Sequence, residues 1–284
     1  MKNFKTSAAL VLLTSAFALT SCNNAKTATN ALEFRNTQYA DSNKLSTTLL
    51  NVQWPEGSSP VADSLRRYVK QNLDSIAFYW TVNDEGGRLT VPGIAKAKSD
   101  SSVTTLYGKA MQNRMVESNR KMQREFPTAS EAPYYLNADV SMLKADNFVT
   151  VVSHLENYTG GAHGMHSTYG VSFNLTTGAR ATVVIDTTQT AALQPIIKRE
   201  LVKFFNKQMQ TDTLTENTMM DFLMLGDSKY VPLPANQPYF TANGIVFDYV
   251  PYEIAPYAAG EITFTVPFSD LKPYLTPAAL QLVK

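Results

Sequence analysis

The run Tyr158–Ser167, YTGGAHGMHS, lies between stretches of alternating polar and apolar residues and decides the fold of this chain. Residues 134–142 alternate with the two-residue period of a strand, and residues 148–157 run back after a short turn. Residues 169–175 alternate again on the far side of the glycines. The sequence therefore predicts an antiparallel hairpin that continues, through a glycine-rich connection, into a third strand.

The glycines of this run suit a tight connection between two strands. Gly160, Gly161 and Gly164 can each adopt a positive φ, which residues with a Cβ atom avoid. The ring of His163 could then bond neighbouring carbonyls or a tyrosine hydroxyl. Because loops on a rigid sheet often carry binding residues, we expect the turn to shape the fold and also to contact a ligand.

A metal site is the alternative interpretation of the same region. All three histidines of the chain, His154, His163 and His166, lie at the end of the predicted hairpin, and catalytic zinc takes three protein ligands and a water. Glu156 could add a carboxylate or orient an imidazole. Register decides, because a slip of one residue moves His154 and His166 to opposite faces. His-x-x-His in a glycine-rich loop is not a recognised zinc spacing, so we predict no metal or cofactor and keep a metal-dependent hydrolase as the alternative.

Other signatures of catalysis are missing from the sequence. It has no Gly-x-Ser-x-Gly elbow, no glycine-rich phosphate loop and no dinucleotide fingerprint. The 24 acidic residues allow many carboxylate pairs for glycoside hydrolysis, but spacing along the chain selects none of them. We therefore expect a protein that binds without catalysing a reaction.

The first residues have the pattern of an export signal. Two lysines precede an apolar run at residues 8–19 that is too short for a permanent membrane span. Leu19-Thr20-Ser21-Cys22 resembles the bacterial lipobox, in which the cysteine receives a lipid. We therefore expect a lipoprotein signal peptide at residues 1–21 and an exported chain anchored through Cys22, in the outer membrane or facing the periplasm if the cell has two membranes.

Charge and composition narrow the class of partner. Removing the signal leaves 23 basic and 24 acidic residues, and this near neutrality gives no reason to expect nucleic-acid binding. Cys22 is the only cysteine, so a disulfide framework is excluded. Residues 22–44 are polar and short of large apolar side chains, which predicts a flexible tether before the folded part.

Helical periodicity and turn residues place the remaining elements. Ser59-Pro60 is typical of a helix start, and apolar residues recur at helical spacing after it. We predict helices at 60–79, 102–126, 189–210 and 215–225 with a short one after Thr276, strands at 49–54, 181–186, 245–249 and 262–266, and loops at 83–100 and 230–244. This order favours an α+β fold of two subdomains, with antiparallel sheets and helices packed on one face.

Three segments carry a resemblance to known domains. YTGGAHG, then FNLTTGA at 173–179, then FDYVPYEIAPYAAGEITFTVPFSDLKPYL at 247–275 resemble the paired extracellular domains of the anti-sigma factor RsiV and of the N-terminal region of the peptidoglycan deacetylase PdaC. The resemblance implies a PdaC-like subdomain at 45–166 and an RsiV-like subdomain at 167–284. Because the N-terminus is typical of an export signal and no His-x-x-x-His pair occurs, it implies neither signalling nor deacetylation.

The resemblance implies instead a binding module of the cell envelope, with a lysozyme-like protein or peptidoglycan or another glycan as ligand. Aromatic residues beside proline or glycine could stack on sugar rings or anchor a protein. The candidate ligand-binding residues are Tyr158, Gly160, Gly161, His163, His166, Tyr252 and Tyr257. Further aromatic candidates are Trp54, Trp80, Tyr134, Tyr135, Tyr239 and Phe240.

Overall fold

The computed structural model of the chain describes residues 32–81, 89–127 and 132–283. The predicted signal peptide and the predicted lipid site at Cys22 lie outside the described residues, as do residues 83–88 of the predicted loop at 83–100. A short 3-10 helix, Ile94–Lys96, interrupts the rest of that loop.

The first half combines a sheet with two long helices. Its elements in chain order are β1 (Phe34–Ser42), β2 (Ser46–Pro55), α1 (Pro60–Tyr79), α2 (Asp100–Glu125), β3 (Tyr134–Lys144), β4 (Phe148–Tyr158) and β5 (Met165–Asn174). The strands lie in the order β1-β2-β3-β4-β5, and every neighbouring pair is antiparallel except β2 and β3. The parallel pair arises because the chain crosses through α1 and α2 before it returns to the sheet.

The second half has a smaller sheet and shorter helices. Its elements are α3 (Thr190–Gln208), α4 (Glu216–Met220), β6 (Tyr239–Thr241), β7 (Gly244–Tyr249), β8 (Ile262–Val266), α5 (Phe268–Leu271) and α6 (Pro277–Leu280). The three strands form an antiparallel sheet in the order β6-β7-β8. The α+β fold is therefore confirmed, with two sheets that are antiparallel except for the β2–β3 pair.

Helix α1 forms where the sequence predicts it because its start and its buried stripe are both encoded locally. The Ser59 side chain accepts a hydrogen bond from the Ala62 amide at 3.1 Å, and Pro60 occupies the first turn. Leu65, Leu73 and other apolar residues at helical spacing are fully buried against the five-stranded sheet.

Each sheet covers a hydrophobic core of its own, and polar contacts join the two. Trp54 and Leu136 belong to the first core, whereas Phe247 belongs to the second. At the junction the Thr150 hydroxyl donates to the Phe240 carbonyl at 2.7 Å, tying the first sheet to β6. The described residues accordingly form one compact unit.

Several predicted boundaries were wrong. The tether at 22–44 contains strand β1 at Phe34–Ser42, whose polar outer face hid its strand character. Residues 181–186 form no strand beyond an isolated bridge between Ile185 and Leu275, and the loop at 230–244 contains β6. Helix α4 ends at Met220 instead of continuing to residue 225.

The predicted subdomain boundary after residue 166 falls inside β5. All ten residues of this strand pair with β4, so the first sheet extends to Asn174. The smaller sheet begins only at Tyr239, after α3 and α4.

Candidate ligand-binding site

A cleft of about 650 Å³ lies between helix α1, strand β5 and the proline-rich segment before β6. Aromatic and uncharged polar side chains dominate its walls. The lining residues are Tyr68, Gln71, Asn72, Ser75, Tyr79, Trp80, Met165, His166, Ser167, Tyr169, Gly170, Val171, Arg180, Ala235, Asn236, Gln237 and Val250. Neither an acidic residue nor a lysine is among them.

The floor of the cleft is a hydrogen-bonded network that fixes its polar groups. The Asn72 side-chain amide donates to the Ser153 hydroxyl at 2.7 Å, and the Tyr169 hydroxyl donates to Asn72 Oδ1 at 2.8 Å. Burial raises the pKa of Tyr169 well above its ordinary value, so this phenol remains a donor at physiological pH. Because the network is buried and mutually satisfied, it holds the floor rigid.

Arg180 and Tyr68 form one end of the cleft. The guanidinium carbon of Arg180 lies 5.1 Å from the centroid of the Tyr68 ring, a cation–π arrangement. The backbone of Arg180 is fixed by a bridge to Phe173, whose ring packs 5.4 Å from that of Tyr68. Burial raises the pKa of Tyr68 to about 12, so its ring stays neutral beneath the cation.

Tyr79 and Trp80 form the other end, where α1 terminates. Tyr79 is 71% exposed, and its ring meets Phe78 edge to face at 4.6 Å. The Trp80 carbonyl accepts a hydrogen bond from the Asn157 side chain at 2.8 Å, which ties the helix end to β4. Two adjacent aromatic side chains are thus presented at this end of the cleft.

Four rings form an imidazole–tyrosine cluster beside the cleft: His163, His166, Tyr252 and Tyr257. The His163 ring stacks on Tyr257 with centroids 3.7 Å apart, and Tyr252 lies 5.6 Å from Tyr257. His166 meets Tyr257 edge to face at 6.2 Å and also lines the cleft, so the cluster and the cleft are continuous. These four predicted site residues are brought together.

Two hydrogen bonds indicate which ring nitrogen of His163 carries the proton of the neutral imidazole. Its Nδ1 lies 2.9 Å from the Gly164 carbonyl, which can only accept, so Nδ1 carries the proton. In the neutral ring Nε2 then accepts from the Tyr252 hydroxyl at 3.0 Å. Tyr252 is held with a φ of 73°, a left-handed conformation that non-glycine residues rarely adopt. The hydrogen bond between His163 and Tyr252 therefore joins two segments whose backbones are both restrained.

The glycines of the turn serve two different purposes. Gly160 and Gly161 have φ values of 100° and 91°, as predicted. The same prediction is wrong for Gly164, which is absent from the positive-φ residues. A Cβ at Gly164 would lie 2.4 Å from the Asn157 carbonyl oxygen, so this glycine is required by close backbone approach.

Tyr158 lies apart from the cluster and contacts the glycine-rich turn. Its hydroxyl donates to the Gly161 carbonyl at 3.1 Å, and its ring stacks on Tyr135 at 6.3 Å and meets Tyr134 edge to face at 6.2 Å. Gly160 packs above Tyr134. The structure thus divides the predicted site residues into a cluster beside the cleft and a set that holds the turn.

The register does not bring the three imidazoles to one point. His154 pairs with Thr168, and its Nδ1 lies 2.9 Å from the Thr168 hydroxyl, whereas His166 pairs with Glu156. His154 and His166 share a face, but two residues apart along the ladder. Within the described ranges, no group of three or more His, Cys, Asp or Glu side chains could hold a metal ion. The hydrolase alternative therefore gains no support.

A carboxyl pair at the junction of the sheets was not predicted. Asp248 is 3% exposed, and burial, followed by the neighbouring Glu261 carboxylate, raises its pKa to about 8. Glu261 reaches across to β5, where it accepts hydrogen bonds from the Thr168 amide and hydroxyl. Asp248 Oδ1 has no hydrogen-bond partner among the residues that the structure describes. The buried Asp248 carboxyl therefore lies beside Glu261, whose hydrogen bonds to Thr168 join the two halves.

Part of the chain matches a known protein family. Residues 184–269 match DUF3298, a family of proteins of unknown function. The match covers α3, the smaller sheet and Tyr252 and Tyr257 of the cluster.

Solved structures share the fold beyond the matched segment. A DUF3298-family protein from Bacteroides fragilis is 18% identical and covers 88% of this chain and 96% of its own, with a TM-score of 0.62. A DUF3298-family protein from Pseudomonas aeruginosa is 15% identical and covers 88% of this chain and 97% of its own, with a TM-score of 0.53. The likeness therefore extends over both sheets as a likeness of fold.

The search of curated proteins found no match. Of the helices in the described ranges, none combines the length and the apolar composition needed to cross a bilayer.

The sequence indicated the cluster better than the cleft. His163, Tyr252 and Tyr257 stood in the segments that carry the resemblance, whereas Arg180 and Asn72 were not singled out. Arg180 follows the turn at residues 177–178 and had no periodic pattern around it. The position of Arg180 above the Tyr68 ring is a tertiary contact that the sequence does not predict.

Proposed function

We propose that this protein is an exported, lipid-anchored module that binds a glycan of the cell envelope, with peptidoglycan as the first candidate. The lining of the cleft supports the proposal, because it combines the exposed Tyr79 and the half-buried Trp80 with amide and hydroxyl side chains. A glycan offers flat apolar ring faces and many hydroxyl groups, and such a lining complements both features.

The two kinds of side chain would act on different parts of a sugar. Tyr79 and Trp80 offer ring faces for stacking at the end of α1. Gln71, Asn236 and Gln237 offer both donors and acceptors, as sugar hydroxyls require. Because the floor is already hydrogen-bonded, little ordering would accompany binding.

The location of the protein follows from a separate argument. The export signal and Cys22 would place the folded part on an envelope membrane, within reach of peptidoglycan. The resemblance to the PdaC N-terminal region points to the same ligand, since that region accompanies a peptidoglycan deacetylase. The DUF3298 match is compatible with this resemblance.

Retention on insoluble peptidoglycan tests the proposal. We expect the full-length chain to sediment with peptidoglycan and Tyr79→Ala to bind about 2- to 10-fold more weakly, the effect of one stacking ring. Tyr230→Ala is the matched control, because Tyr230 is similarly exposed, at 59%, and lies outside the cleft. Equal losses in both variants, or no retention of the unaltered chain, would contradict the proposal.

A protein partner is the second candidate, favoured by the imidazole–tyrosine cluster. Tyr252 is 51% exposed beside other aromatic rings, and exposed aromatic anchors are typical of protein interfaces. The resemblance to RsiV suggests a lysozyme-like protein. Retention on immobilised lysozyme, lost in Tyr252→Ala and unaffected by Tyr79→Ala, would favour this candidate over the glycan.

A further inference from the structure

We infer that Arg180 makes the cleft selective for glycans that carry a carboxylate group. The inference rests on the proposed glycan-binding function and specifies which glycans the cleft prefers. It depends on the charge of the cleft, on the position of the guanidinium and on the separation of Tyr68 and Tyr79 along α1.

The charge of the cleft is unbalanced. Among the described residues that line the cleft, Arg180 is the only lysine or arginine, and none is Asp or Glu. Within the described residues the Arg180 guanidinium forms no ion pair and lies instead above the Tyr68 ring. A cation without a carboxylate partner at the wall of a cleft favours an anionic group on the ligand.

The position of the guanidinium, 5.1 Å from the centroid of the Tyr68 ring, suits a carboxylate ligand. A guanidinium above an aromatic face keeps the N–H groups of its edge available, and these match the two oxygens of a carboxylate. The bridge between Arg180 and Phe173 fixes the backbone that carries the side chain, so less freedom is lost on binding. The described lining offers no second fixed cation of the kind that phosphate sites commonly add.

The carboxylate would lie on a different sugar from the one that stacks at the helix end. Tyr68 and Tyr79 are eleven residues apart on α1, which corresponds to about 16 Å along the helix axis. The negative end of the helix dipole lies at Tyr79, so an anion is better placed away from that end, beside Tyr68 in the middle of the helix. An extended oligosaccharide could therefore contact both ends at once.

Two matched oligosaccharides test the inference on the purified full-length chain. The tetrasaccharide of alternating N-acetylglucosamine and N-acetylmuramic acid carries lactyl carboxylates, whereas the N-acetylglucosamine tetramer has the same acetamido backbone and none. We expect the acidic ligand to bind roughly 10- to 100-fold more tightly by calorimetry, the effect of one charge-assisted contact. The preference should shrink as salt concentration rises.

Variants at Arg180 separate charge from geometry. Arg180→Gln should abolish the preference and leave the weaker binding of the neutral tetramer in place, whereas Arg180→Lys should retain only part of it because lysine lacks the two-pronged edge. Arg67→Gln is the control, since Arg67 is exposed on the same helix and outside the cleft. A preference that survives in Arg180→Gln would overturn the inference.

The outcomes also distinguish this inference from the proposed function. Equal affinity of the unaltered chain for both tetrasaccharides would refute the carboxylate preference while the glycan-binding function stood. Binding of neither would refute both. Arg180 is exposed, so thermal melting of each variant should match that of the unaltered chain and exclude unfolding as the cause.

Discussion

Asp248 is a single buried carboxyl that should make the stability of the fold depend on pH. It is the only acidic residue of β7, a strand in which every residue is buried. A single carboxyl within such an apolar run was a signal in the sequence, but its partner could not be inferred. Glu261 lies beside it only because β7 and β8 pair, and because Glu261 reaches the Thr168 amide on another sheet.

The effect of replacing the Asp248 carboxyl on the free energy of unfolding should depend on pH. In the unfolded chain an aspartate has a pKa near 3.9, whereas burial raises that of Asp248 to about 8. Between about pH 4 and pH 8 the folded protein holds a proton that the unfolded chain has lost, so the free energy of unfolding falls as the pH rises. Asp248→Asn should remove this decline.

Urea unfolding at pH 5 and pH 8 measures the effect. At pH 8 we expect Asp248→Asn to be more stable than the unaltered chain by on the order of 1 to 3 kcal/mol, because an amide at this buried position has no proton to lose as the pH rises. The acidic and phenolic groups that face Asp248 are Glu261, Glu253 and Tyr239. Asp146→Asn, in an exposed turn, controls for the lost charge. A variant destabilised equally at both pH values would contradict the account.

The elements were predictable where the signals are local. Helix α1 has the predicted bounds because Ser59 caps it and its apolar stripe is continuous. Strand β1 was missed because it is mostly polar and its character depends on pairing with β2 and packing against α2. Strand β6 has only three residues and follows a proline-rich run, so its pairing with β7 is a tertiary effect.

The packing of β1 against α2 can be tested through one glycine. A Cβ on Gly108 would lie 2.2 Å from the Tyr39 ring, so Gly108→Ala should destabilise the protein by about 1 to 3 kcal/mol. In a Tyr39→Gly background both the ring and the Cβ of residue 39 are gone, and the same change should stabilise the helix by about 1 kcal/mol, since alanine is the better helix former. Urea unfolding of the four proteins gives both values. The same sign in both backgrounds would show that β1 does not pack there.

The cleft is a property of the whole molecule. Its walls come from α1, from β5, from Arg180 and from the segment at residues 235–237, which lie far apart in the chain. The sequence predicted most of the elements and, through a resemblance, three of the four rings of the cluster. It could not predict the cleft, because the distance between Tyr68 and Arg180 is set by how the sheet turns after Asn174.

The two halves share the site, which explains why neither sheet alone would suffice. Met165 and His166 of β5 form one side of the cleft, and Val250 beyond β7 forms another. The imidazole–tyrosine cluster also spans the halves, because His163 precedes β5 whereas Tyr252 and Tyr257 follow β7. Binding of a ligand would therefore also hold the two halves together, by acting on the folded state alone.

Tryptophan fluorescence can report whether a glycan occupies this cleft. The chain has two tryptophans: Trp54 is 1% exposed in the first core, and Trp80 lines the cleft. Titration of the full-length chain with the peptidoglycan tetrasaccharide should give a saturable change that persists in Trp54→Phe and disappears in Trp80→Phe. No change in the unaltered chain, or one that persists in Trp80→Phe, would contradict the account.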